Sequence, residues 1–175
     1  MKKNLMALAL VASGILASSA YAADGTINFE GEITDSACIV DTNSENLTVS
    51  LGRVSAASFA GAGSYSSATQ FQLVLKECPA SATTAIIKFD GTSVAGDNSV
   101  LALTPGAGVA TGVGIELSDA SQRVVNLYTE SAPYTLVTGA GSETNLDFTA
   151  RYKSLDTTVG AGIANASAQF TVIYQ

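Results

Sequence analysis

Cys38 and Cys78 are the two residues of this sequence with the best-defined chemistry, because they are its only thiols. An even number of cysteines is typical of a disulfide when a chain is exported. The alternative is a metal-binding pair, but the sequence contains no histidine and no Cys-x-x-Cys motif. We therefore predict one disulfide that closes a loop of about 40 residues, which the chain-entropy model values at roughly 4 kcal/mol of stability.

Residues for catalysis are scarce. Without histidine, neither a Ser-His-Asp nor a Cys-His arrangement can be built. The pair Glu30 and Glu32 is more typical of a solvated strand face than of a general acid and base. The glycines at 106–108 and 112–114 resemble a phosphate loop only superficially, since no helix follows them. The sequence predicts a protein that is not an enzyme, with no metal site and no cofactor.

The amino-terminal residues indicate export. Two lysines, Lys2 and Lys3, precede an apolar run at residues 5–17, and the segment closes with the small-x-small site Ala20-Tyr21-Ala22. This is the pattern of a secretory signal peptide, residues 1–22, with cleavage after Ala22. No later apolar run approaches the roughly 18 residues needed to span a membrane. We expect an exported chain of one domain without membrane insertion.

The charge balance bears on partners. Removal of the signal peptide leaves six basic residues against fifteen acidic ones, a net charge of −9. Such a chain is repelled by phosphate backbones, so nucleic acid is an unfavourable partner. Charged residues make up only 13% of the full sequence, which favours close packing against neighbouring molecules.

Short stretches of β-type residues with glycine, proline or aspartate between them follow the signal peptide, and no helical periodicity outcompetes them. This pattern predicts an all-β sandwich. The predicted strands are residues 47–51, 71–76, 85–89, 112–117, 123–128, 134–137, 146–153 and 166–174.

Residues 24–33 form a further alternating stretch at the start of the mature chain. The apolar face consists of Gly25, Ile27, Phe29, Gly31 and Ile33, and the opposite face is polar. Glycine inside a strand often marks a place where another backbone comes close. Two interpretations remain open from this stretch alone: an ordinary first strand, or a strand made for another molecule's sheet.

The last predicted strand carries Ala168, Phe170, Val172 and Tyr174 on one face, and the sequence ends one residue later at Gln175. No proline or lysine protects this exposed apolar edge, which proteins normally cover. The last predicted strand has an uncovered edge, and residues 24–33 supply an additional strand at the other end of the chain. Together these two features indicate head-to-tail strand addition between copies.

These motifs resemble subunits of the chaperone–usher fimbriae, and most of all the type 1-like major pilins. The resemblance spans the mature chain in order and includes the family's carboxy-terminal signature, a glycine fourteen positions from the end and a penultimate aromatic residue, here Gly162 and Tyr174. The matching stretches are Phe29-x-Gly31-x-Ile33, Val49-x-Leu51-Gly52, Phe71-x-Leu73-x-Leu75, Ile87-x-Phe89-x-Gly91, Gly112-Val-Gly-Ile-x-Leu117, Phe148-x-Ala-Arg-Tyr152, Ala161-Gly162 and Ala168-x-Phe170-x-Val172-x-Tyr174.

The resemblance implies an incomplete immunoglobulin-like β-sandwich, residues 34–175, that lacks its last strand. A periplasmic chaperone is expected to fill the gap first, and at an outer-membrane usher residues 23–33 of the next subunit replace it, building a surface fimbria that supports adhesion. The implied donor residues are Gly25, Ile27, Phe29, Gly31 and Ile33. The implied acceptor-groove and chaperone-recognition residues are Gly162, Ala168, Phe170, Val172, Tyr174 and Gln175.

Alternative functions stay open within and outside this family. A minor adaptor or a terminator subunit would share the same motifs. A free exported binding module would instead have a complete sandwich and form a stable monomer. A tip adhesin needs an additional receptor-binding domain, for which the mature chain has no room.

Overall fold

The computed structural model describes residues 25–31, 33 and 37–175. The chain divides into two compact units, residues 1–33 and 34–175. In the first unit the described residues, 25–31 and 33, form neither helix nor strand, so this part of the alternating stretch is not a strand within the chain. The predicted signal peptide, residues 1–22, lies outside the described residues.

The second unit consists of two antiparallel sheets, as the strand pattern predicted. Residues 37–175, the described part of this unit, contain nine strands: β1 (Ile39–Val40), β2 (Thr69–Lys76), β3 (Thr84–Gly91), β4 (Ser93–Val94), β5 (Asp97–Leu101), β6 (Val113–Asp119), β7 (Tyr134–Thr135), β8 (Glu143–Ser154) and β9 (Ala168–Tyr174). The larger sheet has the order β1-β2-β8-β6-β5-β4 and the smaller one β7-β3-β9. Helical structure in the described residues is limited to α1 (Thr42–Glu45) and a 3₁₀ turn at Ala56–Ser58.

The core lies between the two sheets and follows the alternation of their strands. On β8, Leu146, Phe148 and Ala150 are buried. Phe148 stacks on Phe71 of the neighbouring strand β2 at 5.7 Å between ring centroids, and the ring of Phe89 from the smaller sheet meets it edge-on at 5.1 Å. Aromatic rings in this arrangement contribute beyond their buried area. Phe148 therefore joins the two sheets.

The disulfide between Cys38 and Cys78 is present, as predicted. Cys38 immediately precedes β1 and Cys78 follows β2 two residues after its end, and these two strands pair antiparallel in the larger sheet. The bond therefore fastens the short edge strand β1 to its neighbour.

Two predicted strands are wrong. Residues 47–51 pair with no strand among the described residues. Residues 123–128 contribute only one isolated bridge, Val124 to Ser118, because their main-chain bonds go to separate places: Val125 to Leu117, Leu127 to Asn98 and Tyr128 to Phe89. Side-chain alternation indicates which residues face a core. A strand also needs a neighbouring strand that forms hydrogen bonds with it along its length.

The hairpin β4–β5 was not predicted, and β7 is shorter than the predicted 134–137. Aspartate, asparagine and serine open β5, and these residues are depleted in strands. Gly96 turns the chain between β4 and β5 with a φ of +81°. The hairpin is specified by this turn and by the buried Val100 and Leu101.

Candidate strand-accepting site

Strand β9 has one open edge. It pairs with β3 in antiparallel register, with Phe170 opposite Phe89 and Val172 opposite Ile87. No strand among the described residues pairs with its other edge. An antiparallel edge strand directs alternate N–H and C=O groups away from its sheet. β9 therefore presents main-chain groups that a further strand could bond.

The side chains on the inner face of β9 are only partly covered. Phe170, Val172 and Tyr174 pack against the core cluster and remain half-buried. On β3, the facing Ile87 and Phe89 are fully buried. The core is thus closed over β3 and partly open along β9.

Residues 46–54 form a second main-chain edge. No backbone–backbone hydrogen bond involves them among the described residues. Val49 and Leu51 are half-buried, Thr48 and Ser50 are exposed, and Leu51 packs against the core cluster. The segment has the side-chain alternation of a strand without a strand partner.

Tyr174 links the end of β9 to the start of β1. Its hydroxyl donates to the carbonyl of Cys38 at 3.4 Å, immediately before β1. Burial raises the pKa of Tyr174, so the hydroxyl stays protonated and able to donate. Val40 of β1 and Leu51 pack on the same core cluster as Phe170 and Val172. Both unpartnered edges therefore contribute side chains to the same core cluster.

The carboxy-terminal oxygen of Gln175 is held by the start of β3. It accepts hydrogen bonds from the backbone N–H of Thr83 and of Thr84, each at 3.1 Å, and from the hydroxyl of Thr83 at 3.2 Å. The Gln175 N–H donates to the Thr84 carbonyl at 2.9 Å. The sequence analysis missed Thr83 and Thr84, because nothing in a Thr-Thr pair before a strand signals that it will face the chain end.

The sequence and the fold are both similar to those of fimbrial proteins. The family model described as "Fimbrial protein" matches residues 27–175. Long polar fimbria protein A of Salmonella typhimurium is 37% identical over all of this chain and 98% of its own length. A type-1 fimbrial protein subunit of Serratia marcescens is also 37% identical, with both chains fully covered. A solved chaperone–usher pilus superposes with a TM-score of 0.65 at 25% identity, covering 87% of this chain and 96% of the other.

The chain belongs to the fimbrial protein family. It is a structural subunit of a surface fimbria of the chaperone–usher type, and its two sheets form the immunoglobulin-like sandwich of these pilins. Subunits of this kind are exported and polymerise into pili. Within the described residues no helix is long and apolar enough to cross a membrane, and no three potential ligands cluster as a metal site would need.

In this fimbrial subunit, most of the predicted acceptor residues lie together on β9. Ala168, Phe170, Val172 and Tyr174 lie on β9, although Ala168 is exposed at its start, and Gln175 follows them. Gly162 lies elsewhere, where Ile163 exchanges backbone hydrogen bonds with Gly108 and Ala110. A side chain at Gly162 would overlap these backbones, with its Cβ 2.6 Å from the carbonyl carbon of Val109. Close approach of two main chains explains this glycine.

The predicted donor residues are exposed where the structure describes them. Ile27 is 78% exposed, Phe29 91% and Ile33 100%. A side chain added at Gly25 or Gly31 would meet no atom within 4 Å among the described residues. Large apolar side chains in this state favour association with another molecule.

Proposed function

We propose that this subunit polymerises head-to-tail by donor-strand exchange, with residues 23–33 of one copy entering the sandwich of the preceding copy between β9 and residues 46–54. The observation that carries the proposal is the pair of unpartnered main-chain edges beside a partly open core. A strand added there bonds to both edges and covers the half-buried side chains of β9. The corresponding domain boundaries are a signal peptide at 1–22, a donor extension at 23–33 and a pilin domain at 34–175.

The apolar face of the donor extension suits this gap. Ile27, Phe29 and Ile33 would fill the open core, and their burial is worth roughly 5–9 kcal/mol before ordering costs. Gly31 would lie where the main chains approach too closely for a side chain. The opposite polar face would remain toward solvent. The donor extension therefore adds little to the stability of its own subunit and much to the stability of the subunit that accepts it.

Before assembly, the open edge needs protection. We propose that a periplasmic chaperone lends a strand to β9, and that an outer-membrane usher exchanges it for the donor extension of the incoming subunit. Ala168, Phe170, Val172, Tyr174 and Gln175 are the proposed acceptor and recognition residues, whereas Gly162 is needed for the close approach of its main chain to residues 108–110. The role is structural rather than catalytic, in line with a family of structural subunits.

A peptide of residues 23–33 tests the exchange directly. Added to the purified chaperone–subunit complex, it is expected to displace the chaperone and leave a monomeric subunit–peptide complex, measured by native gel and mass spectrometry. A matched peptide with Gly31→Asn carries an obstructing side chain, a substitution that costs of order 1–3 kcal/mol as overpacking, and should exchange more slowly. Equal rates for both peptides, or no displacement by either, would contradict the proposal.

A further inference from the structure

Among the residues that the structure describes, Arg53 is the one basic residue without an acidic partner. It is exposed and lies in the unpartnered segment 46–54. The other five basic residues each have a carboxylate within salt-bridge distance. These pairs are Lys76–Asp41 at 2.6 Å, Lys88–Asp90 at 3.7 Å, Arg123–Asp119 at 3.1 Å, Arg151–Glu116 at 2.7 Å and Lys153–Glu116 at 3.0 Å. In a mature chain with a net charge of −9, an unpaired cation is the exception.

The backbone before Arg53 determines its exposure. Val49 and Leu51 point toward the core, so strict alternation would direct Arg53 inward as well. Gly52 interrupts this alternation with a φ of +70°, a conformation that favours glycine. Arg53 is consequently exposed at the end of the edge that residues 46–54 form.

The surroundings of Arg53 suit a carboxylate. It borders a concavity of about 480 Å³ in which it is the only charged lining residue. The remaining lining is dominated by hydroxyl groups, including those of Ser55, Ser58 and Thr69. A guanidinium presents a planar fork of donors that matches a carboxylate with two hydrogen bonds. The site offers donors to an anion and no competing negative charge.

The donor extension carries complementary charge. Its polar face includes Glu30 and Glu32, and residues 23–33 contain no lysine or arginine. Glu30 is exposed in the structure. In the proposed fimbria, a donor strand alongside residues 46–54 would run past Arg53 with this acidic face outward. Charge complementarity therefore identifies the occupant as the donor extension of a second copy.

We propose that Arg53 forms an ion pair with the acidic face of the incoming donor extension, Glu30 or Glu32 of the next copy. The inference rests on the proposed strand exchange and deepens it. The ion pair guides the extension to the correct edge and favours copies of this chain over donors with a neutral or basic face. Charges at the rim of an interface act mainly on the association rate and on its salt dependence.

The test is a charge swap between subunit and donor peptide in the exchange assay. Three chaperone-bound subunits are compared at low salt: wild type, Arg53→Glu, and Lys88→Glu as a control with the same charge change on β3. Each receives the 23–33 peptide or a variant with Glu30→Lys and Glu32→Lys. With the natural peptide, Arg53→Glu should slow exchange about 3- to 10-fold more than Lys88→Glu does. The lysine peptide should restore the rate for Arg53→Glu alone, and about 0.5 M salt should remove the difference.

The outcomes separate the two proposals. If peptides enter but Arg53→Glu and Lys88→Glu slow exchange equally, only net charge matters and the ion pair is ruled out. The same holds if the lysine peptide fails to restore exchange on Arg53→Glu. If no peptide enters any subunit, strand exchange itself is wrong, and the ion pair fails with it.

Discussion

At the scale of single residues, Glu116 is the least expected feature of the sandwich. Its side chain is 1% exposed, yet it pairs with Arg151 at 2.7 Å and Lys153 at 3.0 Å. The Arg151 guanidinium also lies 3.8 Å above the ring of Tyr65. Burial lowers the pKa of Lys153, but the Glu116 carboxylate more than offsets this and leaves that pKa raised. The loop that carries Tyr65 is therefore held on β8 by this cation–π contact together with backbone hydrogen bonds to Tyr152 and Ser154.

Removal of one of the two cations that pair with Glu116 should lower the free energy of unfolding. We expect Arg151→Ala to destabilise the subunit–peptide complex by about 3 kcal/mol, because Glu116 would be left partly uncompensated. Lys88→Ala is the control, since the side chains of Lys88 and Asp90 are 35% and 32% exposed in a pair 3.7 Å long, and a solvated pair contributes about 1 kcal/mol or less. Denaturant unfolding of both variants measures the difference. If both variants lost the same free energy of unfolding, the burial of Glu116 would not depend on its pairing with Arg151.

A second residue-scale prediction concerns the chain end. Thr83 and Thr84 hold the main-chain oxygen of Gln175. Several residues added after Gln175 would extend the chain past the start of β3, so we expect loss of chaperone capture. Thr83→Val should weaken capture less, because it removes one of three donors, and Thr83→Ser should retain it. Normal capture of the extended chain, measured as complex yield, would refute the assignment.

At the scale of elements, the donor extension can be separated from its own domain. Deletion of residues 23–32 should leave a subunit that still binds the chaperone, because β9 and residues 46–54 remain intact. That subunit could accept a strand but not donate one, so it should fail to add to a preceding subunit. Chaperone-complex yield and polymer length, measured on the same deletion, check both points. An ordinary first strand predicts instead that both are lost together.

The elements also show what the sequence could predict. Alternation identified β2, β8 and β9, and short β-type runs bounded by turn residues identified β3 and β6, of which β6 is buried along its whole length. It could not tell that residues 46–54 have a strand's side-chain pattern without a partner, since pairing is absent from a one-dimensional pattern. The β9 side chains and the disulfide followed from spacing and residue type. The contact of Gln175 with Thr83 could not be predicted, because it depends on how two distant segments meet. The exposure of Arg53 could not be predicted either, because it depends on the φ angle of Gly52.

At the scale of the whole molecule, the sandwich is closed on one side and open on the other. Phe148 and its neighbours fill the space between the sheets, whereas ten apolar residues around them stay only half-buried. These residues are Val40, Leu51, Phe71, Leu103, Tyr134, Tyr152, Ala166, Phe170, Val172 and Tyr174. Folding therefore leaves apolar surface, and in the proposed strand exchange its part along β9 is covered by the next subunit, which would link the stability of one subunit to its neighbour.

That link predicts how the isolated mature chain behaves. Expressed without a chaperone, the subunit should not persist as a monomer, because its β9 edge and half-buried core favour aggregation or slow self-polymerisation. Addition of the 23–33 peptide during refolding should increase the monomeric fraction and raise the midpoint of thermal unfolding, since binding to the folded state alone shifts the equilibrium toward it. Size-exclusion chromatography and thermal scans across peptide concentrations measure both effects. A scrambled peptide of the same composition is the control, because it keeps the charge and apolar content and loses only the alternation. A stable monomer without peptide, unchanged by its addition, would mean that the sandwich is complete by itself and that residues 23–33 have no gap to fill.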